Sequence, residues 1–193
     1  MEWKIRRDKE MKKGIVIYNS KTGFTERYAK WICEELGYQM IPYKERDKAD
    51  LSQYECVIFG GWAHAGSIKG FKWFKEKLPA LEGKRIIVYA TGATPPDSPE
   101  VEKAIEMNLK DLTGAQRERI RVFYFHGGLS YEKMGTVDRV LMSLFRKMLK
   151  KSGGESEAYR MVSHSFDCSS KEQTEPLLEY ARALRKGRRW APL

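Results

Sequence analysis

No stretch of the 193-residue sequence approaches the roughly 20 consecutive apolar residues of a bilayer-spanning helix. The charged opening from Met1 to Lys13 has no apolar run of signal-peptide type behind it, so export by that route is not expected. Cysteine is scarce. Cys33, Cys56 and Cys168 are odd in number and far apart, which excludes a disulfide framework and a Cys-x-x-Cys metal or redox site within the chain. A reducing cytoplasm is the expected location, and no metal is expected. Also missing are the Gly-x4-Gly-Lys-Ser/Thr loop of nucleoside triphosphate binders and the Gly-x-Gly-x-x-Gly turn of dinucleotide binders. There is no internal repeat or low-complexity segment. Basic residues are not interleaved with aromatic ones in the manner that tracks a nucleic-acid strand, so nucleic acid is not an expected partner.

What is present in excess is positive charge, a net +10. Residues 1–13 carry +3, residues 133–151 carry +5 and residues 182–193 carry +5, so the remainder sums to −3. The basic character belongs to two ends and one internal segment, which could face an anionic partner. With 41% hydrophobic residues, the rest reads as one folded domain over 13–186, flanked by a basic extension (1–12) and a basic tail (187–193).

Short apolar runs alternate with helical periodicity along that domain. Gly14 to Tyr18, Cys56 to Phe59, Arg85 to Ala90 and Arg121 to Phe125 read as buried strands, and Tyr38 to Tyr43 as a strand that Pro42 confines to an edge or an end. Helices are predicted from Thr25 to a stop at Gly37, over Lys69 to Leu78, over Pro99 to Leu112 and over Lys171 to Lys186. The alternation implies a parallel sheet covered on both faces. A further helix, Thr136 to Lys151, is inserted after the fifth strand and before the closing helix.

The sharpest motif is Ser20-Lys21-Thr22-Gly23-Phe24-Thr25, between the first strand and the first helix. Hydroxyls surround a glycine that permits close backbone approach, and the helix behind it offers unpaired N–H groups and the positive end of its dipole. A lone phosphate monoester fits such a cradle. The motif resembles the FMN-phosphate loop of flavodoxins. That resemblance implies a flavodoxin-like, doubly wound α/β domain with a five-stranded parallel sheet in the order 2-1-3-4-5, and FMN as the cofactor. The ring contacts are then expected at two small-residue segments following the third and fourth strands. One comprises Gly60, Gly61, Trp62, Ala63 and His64, and the other Thr91, Gly92, Ala93 and Thr94. Trp62 could stack on the flavin or cap the core beneath it, and His64 could donate a proton or be solvated. Gly61 is expected to meet the ring edge, so that Gly61→Val would disturb flavin binding and leave the fold intact.

Further along, Gly127-Gly128-Leu129 follows the fifth strand, then Val137-Asp138-Arg139, then an apolar-basic helix ending Lys150-Lys151-Ser152-Gly153-Gly154-Glu155. This order resembles the long insertion of the menaquinone-dependent protoporphyrinogen oxidases, and the resemblance covers nearly all of Lys13 to Lys186; Asp50-Leu51 and Tyr54-Glu55 ahead of the third strand resemble the flavodoxin superfamily generally. One departure is clear: Trp62-Ala63-His64 stands where that family has a Ser-x-Arg-type element. The resemblance implies an FMN-dependent oxidoreductase that passes electrons to a quinone-type acceptor. The alternative is a flavodoxin-like electron carrier without substrate chemistry of its own. In the inserted helix Val137, Val140, Leu141, Leu144, Phe145, Met148 and Leu149 form one apolar stripe. It is expected either to be buried against the sheet or a second subunit, giving a homodimer, or to dock on the inner face of an anionic membrane where a quinone would be met.

Overall fold

The computed structural model describes residues 12–185. The basic termini, residues 1–11 and 186–193, lie outside it. In chain order the elements are β1 (Lys12–Asn19), α1 (Phe24–Leu36), β2 (Gln39–Pro42), β3 (Tyr54–His64), β4 (Ser67–Ile68), α2 (Phe71–Lys77), β5 (Arg85–Gly92), α3 (Pro99–Leu109), α4 (Gly114–Glu118), β6 (Ile120–His126), β7 (Gly128–Leu129), α5 (Thr136–Gly153), α6 (Glu157–Met161), β8 (Phe166–Asp167) and α7 (Glu175–Arg185). The five long strands pair in parallel as β2-β1-β3-β5-β6. That is the predicted 2-1-3-4-5 order, interrupted in numbering by the two-residue β4, which folds back antiparallel on the end of β3.

The central strands are apolar on both faces because successive side chains alternate between two helical layers. Ile15, Ile17, Val57, Phe59 and Val88 point to the side covered by α2, where Phe71 and Phe74 pack against them. Val16, Ile58, Ile87 and Tyr89 point to the other side, against Tyr28, Ala29 and Ile32 of α1 and Leu177, Leu178 and Ala181 of α7. Burying each Leu- or Ile-sized side chain contributes about 1.5–3 kcal/mol, so these two layers carry most of the driving force for folding. Pro42 ends β2 at the sheet edge, where its missing N–H costs nothing.

Two features depart from the sequence reading. Strand β3 does not stop at Phe59. It runs through Gly60 and Gly61 to His64, still paired with β1 and with β5, and the turn to β4 is made by Ala65 (φ 48) and Gly66 (φ 77). The second concerns α5, which holds no buried residue. Burial of its apolar stripe against the sheet is therefore ruled out: Val137 is 72% exposed, and Val140, Leu141, Leu144, Phe145 and Met148 are exposed with it. The helix is fastened along a different face. Asp138 pairs with Lys21, Arg139 Nε donates to the Tyr131 carbonyl at 3.0 Å, and Arg146 reaches the Ser163 carbonyl at 3.4 Å. None of the helices is long and apolar enough to cross a membrane among the described residues.

Candidate functional site

The carboxyl ends of β1, β3 and β5 open onto a cavity of about 680 Å³. Of the residues singled out in the sequence, Lys21, Thr22, Phe24, Thr25, Trp62, Ala63, His64, Thr91, Gly92, Ala93 and Thr94 line it. The parallel register explains why three separate segments meet there: Asn19 pairs with Gly61 and Trp62 with Thr91, so the strands end side by side.

The first segment is shaped by short-range constraints. The Ser20 hydroxyl accepts from Gly23 N–H at 3.2 Å and closes the turn. Gly23 sits at φ 101, a conformation that side chains strain to adopt, and it is the N-cap of α1 with no side-chain cap over it. The first-turn N–H groups of α1 thus face the loop without a capping side chain, as an anion site requires. Thr25 is buried and turned inward. Its hydroxyl lies 2.6 Å from that of Thr91, and its carbonyl accepts from the fully buried Tyr89 hydroxyl at 2.9 Å. Thr25 can therefore reach an anion through its backbone N–H, while Thr22 lines the cavity.

Lys21 crosses the cavity. Its ammonium pairs with Asp138 of α5 and lies 5.4 Å from the centre of the Trp62 ring. His64 packs edge-on against the same ring at 5.1 Å, and its Nε2 is 3.9 Å from the second Asp138 oxygen. The third segment is braced from β6: His126 Nε2 is 3.1 Å from the Ala93 carbonyl, and the Tyr124 hydroxyl donates to the Thr94 carbonyl at 2.9 Å. Burial pushes the Tyr124 phenol up to about 12, so it stays a neutral donor.

Gly60 and Gly61 do not line the cavity. A Cβ on Gly60 would run into the Tyr89 ring, and one on Gly61 would lie 2.5 Å from Ile68 Cγ2 and 2.8 Å from the Lys69 carbonyl oxygen. The expectation for Gly61→Val changes accordingly. Overpacking of this kind costs about 1–3 kcal/mol or more, so the variant should lose stability in a urea titration whether or not flavin is present. A wild-type midpoint would show that the strand gives way to the side chain.

The far wall was not read from the sequence as part of the site. Asp138, Met142, Phe145 and Leu149 of α5, Met161 of α6, Phe166 of β8 and Leu129 of β7 line it. Spacings of 4, 3 and 4 residues place the α5 members on one helical face, beside the exposed stripe. Among the described residues no cluster of His, Cys, Asp or Glu could hold a metal ion.

Fold and cavity together define an α/β protein of the flavodoxin-like class. In sequence, residues 15–156 match the Flavodoxin domain family, and the chain belongs to that family. No curated protein sequence matches it significantly. Among solved structures, the Trp repressor binding protein from Bacillus subtilis aligns with a TM-score of 0.46 at 15% identity, over 74% of this chain and 99% of its own. Oxidised flavodoxin 2 from Bacillus cereus gives 0.42 at 21% identity, over 58% and 84%. An NADH:FMN oxidoreductase in its apo form gives 0.48 at 14% identity, over 94% and 92%.

FMN is the cofactor that this family membership assigns. The residues present fit it: the cavity falls in the volume range of small-molecule sites, the α1 N-terminus is open to an anion, and the walls beyond are apolar or small.

Proposed function

We propose that the chain is an FMN-dependent oxidoreductase that delivers an electron pair to a lipophilic, quinone-type acceptor. The observation that carries this reading is the extent of the cavity. It continues past the three cofactor segments to the apolar wall of Met142, Phe145, Leu149 and Met161, which the inserted helices supply. A protein that only exchanges electrons with another protein needs no such chamber.

FMN, when bound, supplies the electron store. The chain's own residues bind, orient and manage protons. The 20–25 segment would hold the phosphate, and Trp62, Ala63 and the 91–94 segment would flank the ring. The apolar wall excludes water and gives a planar apolar ring a surface to lie on. Reduction of a quinone takes up two protons, and the His64 imidazole, at the cavity beside Asp138, is placed to carry one.

The resemblance to menaquinone-dependent protoporphyrinogen oxidases supports the quinone half of this reading more than the porphyrinogen half. A porphyrinogen substrate brings carboxylates. The charged side chains of the lining are Lys21, Glu100 and Asp138, with His64, and Lys21 is already paired. An uncharged ring suits this lining better.

The purified protein should show the visible absorption bands of bound flavin. Photoreduced anaerobically, it should be reoxidised by a menaquinone analogue at a rate that saturates with quinone concentration. Phe145→Ser should raise the half-saturating concentration severalfold. Reoxidation that is no faster than that of free FMN, or that stays linear in quinone, would favour the carrier reading instead.

A further inference from the structure

We propose that Lys133, on the turn preceding α5, is a phosphate-binding residue of the FMN site, so that the insertion takes part in holding the cofactor. The inference rests on the FMN reading of the cavity and adds a residue that the phosphate motif does not contain.

The Lys133 ammonium lies 3.7 Å from the position a Cβ would occupy on Gly23, the residue that caps α1. Because Gly23 is the N-cap, a cation there lies near the positive end of the α1 dipole. That placement is unfavourable on its own and becomes favourable when an anion sits between the two. The motif's own lysine is not available for this: Lys21 is paired with Asp138 and lies over Trp62. Lys133 has no carboxylate partner among the described residues. Its neighbour Glu132 is occupied by Ser165 at 2.9 Å and Ser130 at 3.1 Å.

The backbone that carries Lys133 is held in a turn. Lys133 N–H donates to the Ser130 carbonyl at 3.2 Å and Met134 N–H to that of Tyr131 at 3.3 Å, closing the turn. Tyr131 N–H donates to the Ser165 hydroxyl at 3.0 Å, and Arg139 binds the carbonyls of Tyr131 and Glu132 at 3.0 and 3.3 Å. The turn is tied both to the segment before β8 and to α5. Charge balance agrees. A phosphate monoester carries about −1.5 to −2 near neutral pH, and a helix N-terminus supplies only about +0.5. One lysine beside it brings the sum close to neutral.

The test compares FMN with riboflavin, which lacks the phosphate, by fluorescence titration of the flavin-free wild type and of Lys133→Gln. The lysine is exposed, and glutamine keeps a polar chain of similar reach. The Kd for FMN should rise about tenfold in the variant, the usual scale for one charge-assisted contact, while that for riboflavin stays unchanged. An unchanged FMN Kd overturns the proposal. So does equal weakening of both flavins, because a structural role would not discriminate between them. If the wild type binds neither flavin, the FMN reading itself fails; if it binds both with equal affinity, the cavity holds a flavin ring but Lys133 meets no phosphate.

Discussion

Replacing Thr25 by Val should destabilise the protein by about 1–3 kcal/mol, and replacing Thr91 by Val as well should restore much of that loss. The two hydroxyls are buried, at 1% and 2% exposure, and lie 2.6 Å apart. Removing one strands the other in a place water does not reach, and the desolvation of an unpaired hydroxyl sets the cost. Removing both leaves two methyl groups of nearly the same shape in the same space. The double variant is then close to an apolar repacking, and a double-mutant cycle from urea melts should show a coupling well above the few tenths of a kcal/mol found for independent sites. Simple additivity would mean that each hydroxyl has another partner. The link to function lies in what the pair joins, the first turn of α1 to the end of β5, both of which line the cavity. Thr22→Ala, by contrast, should weaken FMN by roughly 0.5–1.5 kcal/mol and leave the melt unchanged, since Thr22 lines the cavity. The sequence motif treats the two threonines alike; the structure separates a stabilising one from one open to the ligand.

That separation shows where sequence reading stops. The strands, the first helix and the loop that joins β1 to α1 were legible because they depend on local pattern: β-branched runs such as Ile15-Val16-Ile17, helical periodicity behind Thr25, and a Gly between hydroxyls at the join. The partner of Thr25 was not legible, since Thr91 is remote in sequence and nothing in either segment names the other. Gly60 and Gly61 misled for a physical reason. Consecutive glycines usually break a strand, yet here they leave room for the Tyr89 ring on one side and Ile68 on the other, and the ladder runs through them. The inserted helix misled differently. Its apolar residues read as one stripe, whereas the fold divides them into a face lining the cavity, with Leu141, Phe145 and Leu149, and an open face with Val137, Val140, Leu144 and Met148. The placement of Asp138 against Lys21, with Arg139 and Arg146 on the Tyr131 and Ser163 carbonyls, sets that rotation. Lys133 was not legible as a neighbour of Gly23 because the two approach only once the chain has returned past β7.

The open face of α5 leads to the remaining expectation: the protein should bind anionic vesicles at low salt, and Lys147→Glu with Lys151→Glu should abolish that binding and leave FMN content intact. Exposed apolar side chains along one helix, next to the apolar wall of the cavity, fit an interfacial helix better than a solvated one. Each such side chain moved out of water contributes up to about 1.5–3 kcal/mol, and each nearby lysine adds roughly 1 kcal/mol at an anionic surface. Of the basic residues on α5, Arg146 is turned toward Ser163 and Tyr131 and Lys150 pairs with Glu155, so neither is free to meet lipid. Lys147 and Lys151 are exposed, have no carboxylate partner among the described residues, and lie beside the apolar stripe. Reversing both should cost roughly 4 kcal/mol in all, about a thousandfold in partitioning, because two attractions become two repulsions. Added salt should weaken the wild type in the same direction, since the charged part of the attraction falls off within a Debye length of about 10 Å at 0.1 M. Cosedimentation with vesicles containing phosphatidylserine, against neutral vesicles as control, measures each of these effects, and flavin absorbance of the same samples reports FMN content. A wild type that ignores anionic vesicles at low salt and sediments as a dimer that Leu144→Ser dissociates would assign the same face to a second copy of the chain.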